Sequence, residues 1–154
     1  MTKLALLGAV AISALAFIAC GDDDDPADKT TGAKPGDVTV ALTNWALTPS
    51  LTTVAAGTIR FVATHPEEHS GHGSGEAGQI HQLIVAPLAG DESGKGEFGS
   101  PVLNLSDIKV GQSKTGEVTL KAGEYELACL VAEKINGKTV NHYEQGMHTK
   151  FVVQ

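Results

Sequence analysis

The chain has 154 residues, 18 acidic against 11 basic side chains and a formal charge of −7, with 42% hydrophobic and only 5% aromatic residues. That is one domain with short extensions, which argues against a multidomain enzyme. The basic residues form no cluster, so no grip on nucleic-acid phosphates is visible and nucleic acid is set aside as a partner.

In chain order, residues 1–19 come first: Lys3 followed by LALLGAVAISALAFIA is a basic n-region and an apolar h-region ending in small residues, which reads as an export signal. The run Phe17-Ile18-Ala19-Cys20 resembles the lipobox of bacterial lipoproteins, with Phe17 where Leu is usual. The resemblance implies that Cys20 is acylated and becomes the new N-terminus. A plain signal peptide and a short membrane anchor are the alternatives. The expectation is an exported protein, lipid-anchored on the outer face of the cytoplasmic membrane or in the periplasm or outer membrane. Residues 20–36 carry four adjacent aspartates and no large apolar side chain beyond the cysteine, so they read as a flexible acidic tether with a reach of roughly 20 Å. With Cys20 lipidated, Cys129 is the one thiol left and no internal disulfide can form. It is then a buried inert cysteine, an intermolecular bridge or a metal ligand.

Residues 37–154 show strand periodicity. Apolar and polar residues alternate over Val38 to Leu42, Thr58 to Val62 and Glu117 to Leu120, with further runs from Gln79 to Pro87, Glu124 to Val131 and His148 to Val153. Glycines punctuate them. Leu103 to Ile108 is the one stretch that reads as a helical turn. The expected fold is all-β, a Greek-key β-sandwich of about seven strands.

Three segments carry metal-ligand side chains: His81 in QIHQLIV, Cys129 in YELACLV, and His142 with Met147 in NHYEQGM. Parity puts His81 on one strand face with Leu83 and Val85, and Cys129 with Tyr125, Leu127 and Val131, so both point to the core. A buried imidazole needs a partner, and a metal ion supplies one while accounting for the thiol. Two imidazoles, a thiolate and a weak axial thioether make a trigonal blue-copper site. Zinc also accepts His, Cys and His, but thioether suits it poorly, so Met147 favours copper.

On these residues the domain resembles the cupredoxins, the family of plastocyanin, azurin and sulfocyanin. The four-residue spacing within His142-Tyr143-Glu144-Gln145-Gly146-Met147, the closing strand Lys150-Phe151-Val152-Val153, and the strand from Leu120 to Leu127 that leads into the cysteine carry the likeness. The resemblance implies one type 1 copper held by His81, Cys129, His142 and Met147. It further implies a monomeric electron carrier rather than an enzyme, serving redox proteins such as cytochromes or oxidases and joined to the membrane by its lipid anchor. His142, the later histidine, is expected at the exposed end as the electron's exit. A copper-binding and copper-delivery protein is the alternative.

Twelve residues separate Cys129 from His142, where the family has a handful. The insertion contains Asn136-Gly137, a strong signal for a two-residue hairpin turn. Counting outward, Ile135 opposes Lys138, Ala132 opposes Asn141 and Val131 opposes His142, so an extruded ribbon returns His142 to Cys129. Finally, His65, His69 and His72 lie on a Gly-rich loop with three glutamates, expected either as a secondary site of metal capture or as a solvated polar loop. His148 is expected as an exposed neighbour of the site and Tyr125 and Trp45 as core. Glu144 is a weaker axial candidate than Met147.

Overall fold

The computed structural model describes residues 32–67, 80–88 and 99–154. The signal segment, Cys20, most of the tether, His69 and His72 lie outside the described residues. Residues 32–36 are exposed and end in a turn in which the Asp37 N–H donates to the Lys34 carbonyl at 3.0 Å, while Arg60 pairs with the Asp37 carboxylate.

Among the described residues there are eleven strands: β1 (Val38–Thr43), β2 (Ala46–Pro49), β3 (Thr53–Val54), β4 (Gly57–Thr64), β5 (Ile80–Pro87), β6 (Leu103–Lys109), β7 (Ser113–Leu120), β8 (Gly123–Ala128), β9 (Ala132–Ile135), β10 (Lys138–Asn141) and β11 (His148–Val153). One sheet has the order β2-β1-β4-β7, a second β3-β11-β8-β5-β6, and β9 and β10 pair only with each other. The chain crosses between the two sheets after β2, β3, β4, β6 and β7, and two neighbouring pairs, β1 with β4 and β3 with β11, run parallel. The all-β sandwich is as expected, with more strands than the seven expected. The surplus is β2 and β3, short pieces at sheet edges, and the two arms of the ribbon.

The two sheets share one core. Val38, Val40 and Leu42 of β1 and Ile59, Phe61 and Ala63 of β4 meet Leu83 and Val85 of β5, Tyr125 and Leu127 of β8, and Phe151 and Val153 of β11. The Phe61 and Phe151 rings, one from each sheet, lie 5.5 Å apart at a tilt of 59°. This alternation of buried and part-buried positions is why the sequence folds as strands: a period of two places every second side chain inside.

The expected helical turn at Leu103 to Ile108 is instead strand β6, and the structure explains the misleading pattern. His81 pairs with Ile108 and Leu83 with Leu105, so β6 carries one residue more than β5 between these pairs. This is a β-bulge, with Asp107 in the left-handed region at φ 54°. It moves the inward positions from Leu105 to Ile108, a spacing of three that imitates a helix. At the same edge Gly116 of β7 lets the leucines of β6 approach closely, since a Cβ there would lie 2.8 Å from Leu103 Cδ1 and 2.9 Å from Leu105 Cδ2 and those side-chain ends would have to shift.

Candidate metal centre

Four segments converge at one end of the sandwich. His81 stands at the start of β5 and Cys129 one residue past the end of β8. His142 follows β10, and Met147 precedes β11. All four residues have 0% exposure.

Backbone hydrogen bonds tie the three late residues to one short stretch. The Cys129 N–H donates to the Met147 carbonyl at 2.9 Å, and the His142 N–H donates to the Val131 carbonyl at 2.9 Å. The His142–Met147 segment closes on itself: Met147 N–H donates to the His142 carbonyl at 3.1 Å, Gly146 N–H to Tyr143 at 3.0 Å, and Tyr143 N–H to the Asn141 side-chain oxygen at 3.0 Å. The four-residue spacing is thus the length of this double turn. A buried carboxylate holds its two ends, since Glu126 accepts from the Tyr143 hydroxyl at 3.1 Å and lies 3.0 Å from His148 Nδ1.

The ribbon between Cys129 and His142 has the register the sequence implies. Ile135 pairs with Lys138 and Ala132 with Asn141. Asn136 and Gly137 have φ of 51° and 79°, the left-handed pair that a type I′ turn requires. The insertion is a hairpin, and its length leaves Cys129 and His142 adjacent.

The donor atoms form a compact triangle. His81 Nδ1 and His142 Nδ1 lie 3.2 Å apart, and Cys129 Sγ lies 3.5 Å from the His142 nitrogen and 3.9 Å from that of His81. The circle through three points so spaced has a radius of about 2.1 Å, in the range of about 2.0–2.3 Å for nitrogen and thiolate bonds to a divalent transition metal. Such a triangle fits one metal ion without rearrangement. Met147 is buried in the same apolar cluster as Cys129. Three strong donors in a trigonal set, with a methionine buried in the same cluster, fit a single type 1 copper better than the tetrahedral four-donor site zinc prefers.

The electrostatics prepare the donors. Burial, with the neighbouring His65 and His142, pushes the His81 pKa down to about 3, so its ring is neutral at physiological pH, as a ligand must be. Burial pushes the Cys129 thiol up, against backbone N–H groups including that of Gln82, which donates to Sγ at 3.3 Å. The thiol therefore gives up a proton when a metal binds.

Several expectations are corrected here. His142 is not at an exposed end: its Nε2 lies 2.8 Å from Glu133 Oε1 of the ribbon, and the Trp45 ring meets it edge-on at 5.2 Å and 89°. Trp45 is accordingly not core but a half-buried side chain in the β1–β2 turn, at φ 65°. His65 is not a solvated loop residue. It is 1% exposed at the end of β4, its ring 4.4 Å from that of His81 and its Nδ1 3.4 Å from the Ile108 carbonyl. Glu144 is exposed, whereas Met147 is buried. His148 is exposed and stacks on Tyr143 at 4.2 Å, a neighbour of the site. Tyr125 is core, its hydroxyl donating to the Lys121 carbonyl at 3.0 Å.

The residues that sequence reasoning missed are Glu133, Trp45 and Glu126. For Glu133 a signal was present. In the hairpin register it opposes Val140, which shares a face with His142 two residues on, so Glu133 and His142 are a diagonal cross-strand pair.

No protein-family model matches the chain, and no curated protein does. Among solved structures, the chain is similar to dithionite-reduced auracyanin from the photosynthetic bacterium Roseiflexus castenholzii, with 18% identity, a TM-score of 0.47, and coverage of 80% of this chain and 99% of that one. It is also similar to rusticyanin from Thiobacillus ferrooxidans, at 14% identity and TM-score 0.45 over 77% of this chain and 76% of that one. A third is an azurin from Methylomonas sp. strain J, at 11% identity and TM-score 0.45 over 79% and 99%. These likenesses concern the fold, and the metal assignment rests on the donor set itself. Two sheets in this order, with His81 on an early strand and the late Cys129 and His142 meeting it at one end beside the buried Met147, are the arrangement that the resemblance of the sequence to cupredoxins leads one to expect, and His81, Cys129 and His142 form a cluster able to hold a metal ion.

Proposed function

We propose that this chain is a blue-copper electron carrier, tethered to a membrane of the cell envelope through Cys20, that takes one electron from a redox partner such as a cytochrome or oxidase and passes it to another. The observation that carries the reading is the triangle of His81, Cys129 and His142 donors, buried and fixed by backbone hydrogen bonds. Copper bound there would supply one-electron chemistry between Cu(II) and Cu(I). The chain's part is to hold nearly one geometry for both states, which keeps reorganisation small. His81 and His142 supply the nitrogen donors and Cys129 a thiolate at the end of a strand that runs through the core. Met147 supplies the soft donor that tunes the potential. With all four donors from the protein, no coordination position remains for a substrate, which supports a carrier rather than an enzyme. The tether and export rest on the sequence of residues 1–36.

Copper delivery by a histidine loop has less support, because His65 is packed against His81 instead of standing ready to capture an ion. The two readings part in one experiment, in which the copper-loaded protein is reduced and reoxidised through repeated cycles in the presence of a copper chelator. A carrier retains its copper and cycles reversibly. Loss of copper to the chelator during the first cycles would support delivery.

A further inference from the structure

The twelve-residue ribbon between Cys129 and His142 does more than return the chain. Its first arm places Glu133 against the ring nitrogen of His142 that points away from the donor triangle, at 2.8 Å. A carboxylate can only accept, so Nε2 carries the hydrogen. That leaves Nδ1, 3.2 Å from His81 Nδ1 and 3.5 Å from Cys129 Sγ, as the nitrogen whose lone pair faces the site. The ring is held on its other side by the edge-on contact with Trp45.

We propose that Glu133 is a positioning residue for His142: it fixes the Nε2–H tautomer and the ring orientation, and its negative charge, passed through the imidazole, makes Nδ1 a stronger donor and favours the more highly charged copper state. This rests on the reading of His142 as a copper ligand. A carboxylate hydrogen-bonded to a ligating histidine raises the basicity of the ring and restrains its rotation. Glu133 is 19% exposed at its side chain, so its charge is only partly screened from the site. The position exists because of the insertion: a short Cys-to-His connection has no β9 and no residue from which to reach Nε2.

The test uses the whole chain, copper-free and copper-loaded, with Glu133→Ala and Glu133→Gln. In the copper-free protein, long-range proton–nitrogen NMR correlations of the His142 ring should show hydrogen on Nε2 alone. Glu133→Ala should give a mixture of tautomers and weaken copper binding by about 10- to 100-fold. Glu133→Gln keeps an accepting oxygen but no charge, so it should retain the tautomer while raising the reduction potential. An unchanged tautomer and copper affinity in Glu133→Ala would overturn the proposal, as would hydrogen on Nδ1 in the unsubstituted protein. Should Glu133→Ala fail to fold, the near-isosteric Glu133→Gln decides, and an unshifted potential there counts against it. If the unsubstituted protein binds no copper, the copper reading fails, and the tautomer spectrum alone settles what Glu133 does.

Discussion

Acidifying the copper-free protein should destabilise it through His81. The folded pKa of this histidine is pushed down to about 3 from 6.5, chiefly by burial and then by its neighbours His65 and His142, beside which a second positive charge is disfavoured. A depressed folded pKa means that the unfolded chain binds the proton first. The stability is therefore present above pH 6.5 and is lost as pH falls toward 3. Each pH unit in that window removes about 1.4 kcal/mol, so the loss by pH 4.5 is about 3 kcal/mol and the full amplitude about 5 kcal/mol. A domain of this size has about 5–15 kcal/mol in all, so the effect is large. Other groups also titrate here, and a His81→Leu variant isolates the term. Urea unfolding of both copper-free proteins between pH 7.5 and 4.5 should show the stability gap shifting in favour of His81→Leu by about 1.4 kcal/mol per unit below pH 6.5. A gap that stays constant with pH would show that His81 accepts its proton as easily folded as unfolded, and the buried neutral imidazole would have to be abandoned.

Gly137→Ala forces a side chain into a backbone at φ 79° and should cost about 1 kcal/mol or more in denaturant unfolding; a neutral result would mean that the ribbon turn is not type I′. Met147→Leu conserves volume at a fully buried position, so the thiolate absorption should persist while the reduction potential rises, and bleaching of the colour would instead place Met147 among the strong donors. Cys20→Ser in a protein still cleaved after the signal should move the domain to the soluble fraction, because a lipid chain is the anchor proposed; continued membrane association would point to a different attachment.

Much of this site was legible in the sequence because strand parity and turn chemistry are local. His81 and Cys129 fall inward by the same period-two rule that buries Leu83 and Leu127, and Asn136-Gly137 sets the ribbon register without reference to the rest of the chain. What escaped depends on residues far apart in sequence. The bulge in β6 is defined only against β5, and by adding one residue it gives strand residues a helical spacing. His65 looked like the head of a polar loop, yet it closes β4: its N–H donates to the Gln112 carbonyl at 2.9 Å, and its ring meets His81 from another sheet. The exposed end expected for His142 failed for a related reason, since the insertion that seemed only to lengthen a loop carries the carboxylate that covers the ring.

The central claim is that Cys129, His81 and His142 hold copper as one trigonal thiolate site, and a visible absorption titration of the copper-free protein with Cu(II) tests it most directly. An intense thiolate-to-copper band that saturates at one equivalent and is absent in Cys129→Ser is the predicted result. A colourless complex, or a band that survives in Cys129→Ser, would contradict it.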